Sequence, residues 1–270
     1  MSEILAERFR IECDAIPFDA EAFTLAGFCA CCGRETHFQV GGMYSSRQLP
    51  DGRVFPNWRE HLNCLECGLG NRVRASIQVL RQTCNPRQDA RIYMTERKTS
   101  TFDWMARHYS NVQGSEYFEG NHKSGDLVQG IRHEDVQNMS FQDNVFDYIL
   151  TFDVLEHVPY PLESLREFFR CLAPGGVLMI TVPFDWASKD HVIRAALGDN
   201  GEVEYFMEPE YHGNPVDMEA GSLCYRYFGW QLLQDLRDTG FLNAEVLSYW
   251  SERLGYFGDP QLIILAKKPA

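Results

Sequence analysis

Two short runs, CACCG and CLECG, pair Cys29 with Cys32 and Cys64 with Cys67, and a glycine follows each pair. Cysteines at this spacing bring two thiolates to one tetrahedral ion, and the glycine relieves crowding where backbone amides turn toward the sulfurs. Four such thiolates, with no histidine and no open position, predict a closed structural zinc site. Cys31 is the surplus thiol of the first run and is left outside the set. Four unmetalled thiols are the plainer alternative, and redox chemistry would need only one pair. The intervening RETHFQVGGMYSSRQLPDGRVFPNWREHLN has short β-like pieces but too little apolar content for a core. Bound metal would supply its folding energy, as in a zinc ribbon or paired zinc knuckles.

The rest of the composition narrows the class. Nine cysteines, in a chain whose first residues MSEILAERF lack a basic-then-apolar signal pattern, predict thiols or metal ligands in a cytoplasmic protein. No apolar run reaches the length of a membrane span. The net charge of -13 argues against a nucleic acid partner, because phosphate binding needs a basic surface. Arg72, Arg74, Arg81, Arg87 and Arg91 do cluster in sequence, and the expectation for them is a solvated helix face.

The elements that must position any chemistry follow from periodicity. NRVRASIQVLRQTC sets Val73, Ile77 and Leu80 on one helical face and reads as a linker helix. From Ala90 onward strands and helices alternate: RIYM, TSTFDWMARHY, NVQGSEYF, IRHEDV, FDYILTFDVLEHV, PLESLREFFRCL, VLMITVPF, WQLLQDLRDTGF, AEVLSYW and QLIILAK. This order predicts an α/β fold with a parallel-rich sheet, helices on both faces, and a ligand outside the carboxyl ends of the strands. The expected divisions are a lead segment (1–23), the cysteine module (24–70), the linker helix (71–89) and a main domain (90–270).

Over Phe141 to Phe184, the pieces DNVFD, DVLEHV and LAPGGVLMITVP stand in the order and spacing of class I S-adenosylmethionine-dependent methyltransferases, which this stretch resembles. The resemblance extends over residues 90–268. It implies a Rossmann-like seven-stranded sheet whose last strand is antiparallel, with the methyl donor lying over the strand ends. In that family the first strand ends in an acid followed by glycines. Here Glu96 supplies the acid, but Arg97, Lys98, Thr99 and Ser100 replace the glycines, so a turn of another type is expected. The resemblance implies that Thr95 and Glu96 meet the donor's amino-acid part, with Glu116 and Tyr117 at the ribose. It likewise implies Asp135 and Val136 at the adenine, and Phe152 and Asp153 lining the same site. Glu116 stands twenty residues beyond Glu96, the interval of a ribose-binding acid.

The acceptor side is expected at two places. His157 in LEHVP follows the fourth strand, where an imidazole can take an alcohol proton; packing against the donor is the alternative. Glu156 is expected to orient a loop. The long connection over 184–227 reads as a substrate lid rich in aromatics. Within it His212 is the second candidate base, beside Tyr211, while Arg194 and Trp186 are candidate acceptor contacts. Arg194 pairing simply with an acid is the alternative. The expected activity is methyl transfer to a small-molecule or glycan acceptor, foremost at oxygen. Transfer to carbon or nitrogen, or a non-catalytic methyltransferase-like scaffold, are the competing readings. The TE strand end, GSEY and YHGNP also resemble methyltransferases with a cysteine-pair front module, some of them from polysaccharide or natural-product biosynthesis.

Overall fold

Alternation of outward polar and inward apolar residues shapes a small antiparallel sheet near the N-terminus. The computed structural model describes every residue except 1, 19–21, 43, 44, 46, 199 and 218. β1 (Phe23–Cys29) pairs with β2 (Arg34–Val40) from Phe23↔Val40 to Cys29↔Arg34, and β3 (Asn63–Cys64) adds to the other side of β2. The period of two buries Phe38 and Val40 and leaves Arg34 and Glu35 outside. α1 (Ser2–Asp14) precedes this sheet. α2 (Asn71–Val79) follows it and runs into a π-turn over Leu80–Cys84.

These elements belong to one of two units. The first comprises Met1–Pro86 together with Ser248–Gln261, and the second Arg87–Leu247 together with Leu262–Ala270. The helix expected as a linker therefore lies inside the first unit. So does a residue expected on a solvated face: Arg74 is fully buried. Its guanidinium donates to the carbonyls of Leu254 (2.6 Å), Gly255 (2.9 Å) and Leu62 (3.1 Å), and lies 4.0 Å from the Phe38 ring centroid. Two of those carbonyls come from a segment some 180 residues away in sequence, which helical periodicity cannot reveal. Arg72 keeps to the surface and pairs with Glu60 at 3.1 Å.

The continuous apolar runs become the middle of a six-stranded sheet, as strands covered on both faces should. The sheet belongs to the second unit except for Ser248–Gln261 at the tip of its last hairpin. Its members are β4 (Ile92–Met94), β5 (Val112–Gly114), β6 (Phe146–Phe152), β7 (Leu172–Thr181), β8 (Leu242–Ser251) and β9 (Tyr256–Lys267). The order is β8-β9-β7-β6-β4-β5. β5, β4, β6 and β7 run parallel, whereas β9 lies antiparallel to β7 from Val177↔Lys267 to Ile180↔Ile264. α3 (Ser100–His108), α4 (Pro161–Cys171) and α5 (Gln231–Thr239) make the connections. Leu165 and Phe168 of α4 and Leu232 and Leu236 of α5 share a core with Ile149, Leu178, Ile180 and Ile264 of the sheet.

Seven strands were expected, and the described residues form six. IRHEDV carries too short an apolar run to sustain a ladder. Ile131–Arg132 turns back on Leu127–Val128, and His133 makes a single parallel bridge to Glu116. The strand order reverses beside β4: the chain goes to β5 on one side and returns to β6 on the other. That reversal puts the carboxyl ends of β4 and β6 at a switch point, where sheets of this kind carry their ligand crevice.

Arg74→Met should strand three buried carbonyls and destabilise the first unit by about 3 kcal/mol or more. Urea unfolding followed by tryptophan fluorescence measures this, since Trp58 is buried in the same unit. A parental midpoint would show that the buried arginine does not hold these segments together.

Candidate active site

A turn after β4 has to climb over β5, and in this chain it does so without glycine. Residues 95–99 read Thr-Glu-Arg-Lys-Thr, and none of them has a positive φ. The close approach is allowed from the opposite side. A Cβ on Gly114, the last residue of β5, would meet the carbonyl oxygen of Glu96 at 2.6 Å and collide with the Phe102 ring. The turn is then fastened by a carboxylate: Glu116 Oε1 accepts from the amides of Arg97 (2.8 Å) and Lys98 (2.6 Å). Thr99 closes it by accepting from Phe102 N at 3.2 Å as the cap of α3.

The residues expected around the donor line up along neighbouring strand ends. Thr95 leaves β4 with its hydroxyl 3.1 Å from that of Thr151 in β6. Glu116 is buried just past β5, and Tyr117 beside it is exposed, its ring centroid 5.3 Å from that of His133. Asp135 follows the His133 bridge; its carboxylate accepts from Gln137 N at 2.9 Å, and Val136 is buried. Phe152 ends β6, and Asp153 then takes φ 52°, a left-handed conformation that costs a non-glycine residue about 1 kcal/mol or more. Its amide donates to Thr181 O (2.8 Å) and its carboxylate accepts from Thr181 Oγ1 (3.1 Å). A separate cleft of about 310 Å³, lined by Arg91, Asn111, Gln113 and Phe146, opens at the opposite, amino end of these strands and lies away from the acids.

Past Asp153 the backbone makes one 3-10 turn, Leu155–His157, and brings together the two candidate bases. His157 and His212 meet edge to face with ring centroids 4.9 Å apart. His212 comes from the lid, where Tyr211–His212 pairs with Ser222–Leu223. Between the rings lies Glu156, completely buried, its Oε1 3.6 Å from His157 Nε2 and 3.7 Å from His212 Nδ1. The lid is anchored here by Tyr225 N donating to Glu156 O (2.7 Å) and by His157 Nδ1 donating to Leu223 O (2.8 Å). Burial pushes the Glu156 carboxyl up to about 7 and the His157 imidazole down to about 4. His212 is raised by the neighbouring carboxylates of Glu156 and Glu210.

Glu210 is the residue that sequence reasoning passed over. It accepts from His212 Nε2 (2.9 Å), from the Tyr227 hydroxyl (2.6 Å) and from Arg194 (3.0 Å). Its signal was the EPEYH run, an acid two residues before the histidine. Arg194 thus pairs with an acid and also donates to Glu208 O (2.9 Å). Tyr211 is exposed beside this group, whereas Trp186 lies against Trp230, whose indole donates to its carbonyl at 2.8 Å.

In the first unit the four cysteines of the two pairs converge. Each pair makes the same knuckle: Gly33 N bonds Cys29 O and Gly68 N bonds Cys64 O, both at 2.8 Å, with the glycines at φ 70° and 73°. All four sulfurs lie within 4.8 Å of one another, and Cys29–Cys67 and Cys32–Cys64 are both 3.8 Å apart. Sulfurs at about 2.3 Å around one tetrahedral zinc ion stand about 3.8 Å apart, so the donor set fits that ion. Cys31 turns aside, 3.8 Å from Arg74 O.

Comparison with known proteins bears on these sites. A family model described as a methyltransferase domain matches residues 17–246. Among curated proteins, a demethylmenaquinone methyltransferase of Staphylococcus saprophyticus is 35% identical over 92 residues, 29% of this chain and 39% of that protein. A sterol 24-C-methyltransferase of Yarrowia lipolytica is 34% identical over 83 residues, 31% of this chain and 18% of that one. The chain thus spans well under half the length of these relatives. An S-adenosylmethionine-dependent methyltransferase structure from Mesorhizobium loti aligns over 72% of this chain and 98% of that one, at 17% identity and a TM-score of 0.46. Among the described residues, no helix is long and apolar enough to cross a membrane.

Gly114→Ala should force apart the β4 turn and α3 at a cost of about 1–3 kcal/mol, lowering the thermal midpoint by several degrees. An unchanged midpoint would show that the turn does not need this close approach.

Proposed function

Because the chain belongs to the methyltransferase-domain family, we propose that it transfers a methyl group from S-adenosylmethionine to an oxygen of a small-molecule or glycan acceptor. One observation carries the reading: His157 and His212 converge on a buried Glu156 one turn beyond the end of β6, next to a row of acids at the strand ends.

The residues at those strand ends suit the donor. Thr95, Glu96, Phe152 and Asp153 would hold its amino-acid part, Glu116 and Tyr117 its ribose, and Asp135 and Val136 its adenine. The fit rests on the crevice at the strand-order reversal and on the close approach at Gly114, which leaves the first turn compact without glycine of its own. When bound, the donor supplies a methyl group already activated on a sulfonium. The protein's share is then alignment, exclusion of water and acceptance of the acceptor's proton. Glu156, His157 and His212 offer lone pairs at the place where a hydroxyl would be held and deprotonated. The lid's exposed aromatics Tyr205, Phe206 and Tyr211 suit an uncharged polar acceptor such as a sugar or a specialised metabolite.

Transfer to carbon is the second reading, favoured by the local similarity to the sterol 24-C-methyltransferase. NMR of the methylated product separates carbon from oxygen. A non-catalytic scaffold is the third, favoured by the glycine-free turn. Calorimetry with S-adenosylhomocysteine decides it, and absence of both heat and thermal shift at millimolar ligand would establish the scaffold.

Glu116→Ala should weaken S-adenosylhomocysteine binding by about 1.5–3 kcal/mol, roughly ten- to a hundredfold, because a charged acceptor of hydrogen bonds is lost. Equal affinity in the variant would remove Glu116 from the site.

The four thiolates of Cys29, Cys32, Cys64 and Cys67 are assigned to one structural zinc ion. Cys64→Ser should lower the zinc content of purified protein by one equivalent per chain and loosen the first unit in limited proteolysis. Unaltered zinc content would refute the assignment.

A further inference from the structure

The cluster at the lid has a feature that a base alone leaves unexplained. Its three inward-facing atoms, Glu156 Oε1, His157 Nε2 and His212 Nδ1, are all lone-pair donors to a cation, and they lie within 4.8 Å of one another. The outer nitrogens fix this. His157 Nδ1 faces the carbonyl of Leu223, which can only accept, so the ring proton sits on Nδ1 and Nε2 turns a lone pair inward. His212 Nε2 faces the Glu210 carboxylate, which already receives the Tyr227 hydroxyl and Arg194, so that nitrogen too carries a proton and Nδ1 is the atom that faces inward. The third member, Glu156, is completely buried, and neither of its oxygens has a hydrogen-bond partner among the described residues.

With both rings neutral, two nitrogen lone pairs point toward the carboxylate and repel it, which a proton on His212 Nδ1 or a cation relieves. A buried carboxylate without a partner also forfeits its hydration at a cost of several kcal/mol. A positive centre among the three atoms removes both penalties. The dimensions suit one: ligands at about 2.0–2.1 Å around a tetrahedral ion are about 3.3 Å apart, against 3.6 and 3.7 Å here. The surroundings suit one as well. Each ring donates its remote N–H to a carbonyl or carboxylate, the outer-shell arrangement that orients metal-binding imidazoles.

We infer that Glu156, His157 and His212 form a site for a divalent transition-metal cation, distinct from the four-cysteine cluster, with Glu210 and the Leu223 carbonyl as positioning groups. Two imidazoles and one carboxylate leave at least one coordination position open for water or an oxygen of the acceptor. The inference rests on the proposed methyl transfer only for what occupies that open position. The cation site itself stands on the three side chains.

The test uses the full chain, stripped with chelator and titrated with Co²⁺, alongside elemental analysis of the protein as purified. The parent should bind two equivalents. One has the intense thiolate charge-transfer absorption of the cysteine cluster. The other has only the weak ligand-field bands of nitrogen and oxygen ligands. His212→Ala and Glu156→Gln should each lose the second equivalent while keeping the thiolate absorption and a cooperative thermal transition. Glu210→Gln, which leaves all three ligands in place, should weaken the second equivalent by about ten- to a hundredfold. The inference is overturned if the parent binds only the cysteine-held equivalent, or if both His212→Ala and Glu156→Gln retain the second; in the first case a proton fills the cluster. Should one variant fail to fold, the other and Glu210→Gln still decide. S-adenosylhomocysteine calorimetry on the same samples separates the two proposals. Binding heat without a second metal would leave methyl transfer standing and remove the cation, and a second metal without heat would do the reverse.

Discussion

A chain that passes from β4 over the end of β5 without a glycine must find its freedom elsewhere, and the pair Gly114 and Glu116 provides it. The glycine removes the side chain that would strike the Glu96 carbonyl and the Phe102 ring, and the carboxylate accepts the two amides of the turn. A turn of ordinary side chains in right-handed or extended conformations is thereby held flat against the sheet. Glu116 is in turn held at the end of β5 by those two amides, whereas Asp135 is held by Gln137 and Asp153 by Thr181. Glu116 commits one oxygen to the backbone of the turn, and the other is left for the donor under the proposed reading.

The far side of the crevice is governed by a different constraint, a carboxylate kept out of water. Glu156 lies three residues beyond the strained Asp153, and its own carbonyl accepts the amide of Tyr225 from the lid. The lid is therefore tied to the sheet at the point where the candidate chemistry lies. His157 belongs to the strand end and His212 to the lid, so the pair exists only while the two elements are together. Glu210, with Tyr227 and Arg194 around it, sets the direction of the second imidazole. Burial, which penalises the charged form, pushes the Glu156 carboxyl up to about 7.

The first unit solves the problem of a small core by two means. Four sulfurs at the spacing of a tetrahedral ion form one cluster, and a buried guanidinium gathers three carbonyls. Glu12 adds a third buried polar centre, accepting from the Trp250 indole and from Gly258 N. The Arg74 bonds to Leu254 and Gly255 and both Glu12 bonds join the N-terminal residues to the tip of the hairpin formed by β8 and β9, which makes the unit discontinuous in sequence.

What could be read from the residues alone were features with short range. C-x-x-C spacing marked the sulfur cluster, apolar runs marked β4, β6 and β7, and the resemblance around DNVFD and LAPGGV marked the family. Both histidines were also visible, because each stood in a polar run beside a predicted strand or within a long connection. The sequence did not show that they touch, that Glu156 lies between them, or that Arg74 is buried. It equally hid the collapse of the third predicted strand to a single bridge. Local spacing determines which residues can share a helix face or a metal. Contacts between positions 157 and 212, or 74 and 254, depend on how the chain returns on itself, and only the folded packing of lid, sheet and hairpin decides them.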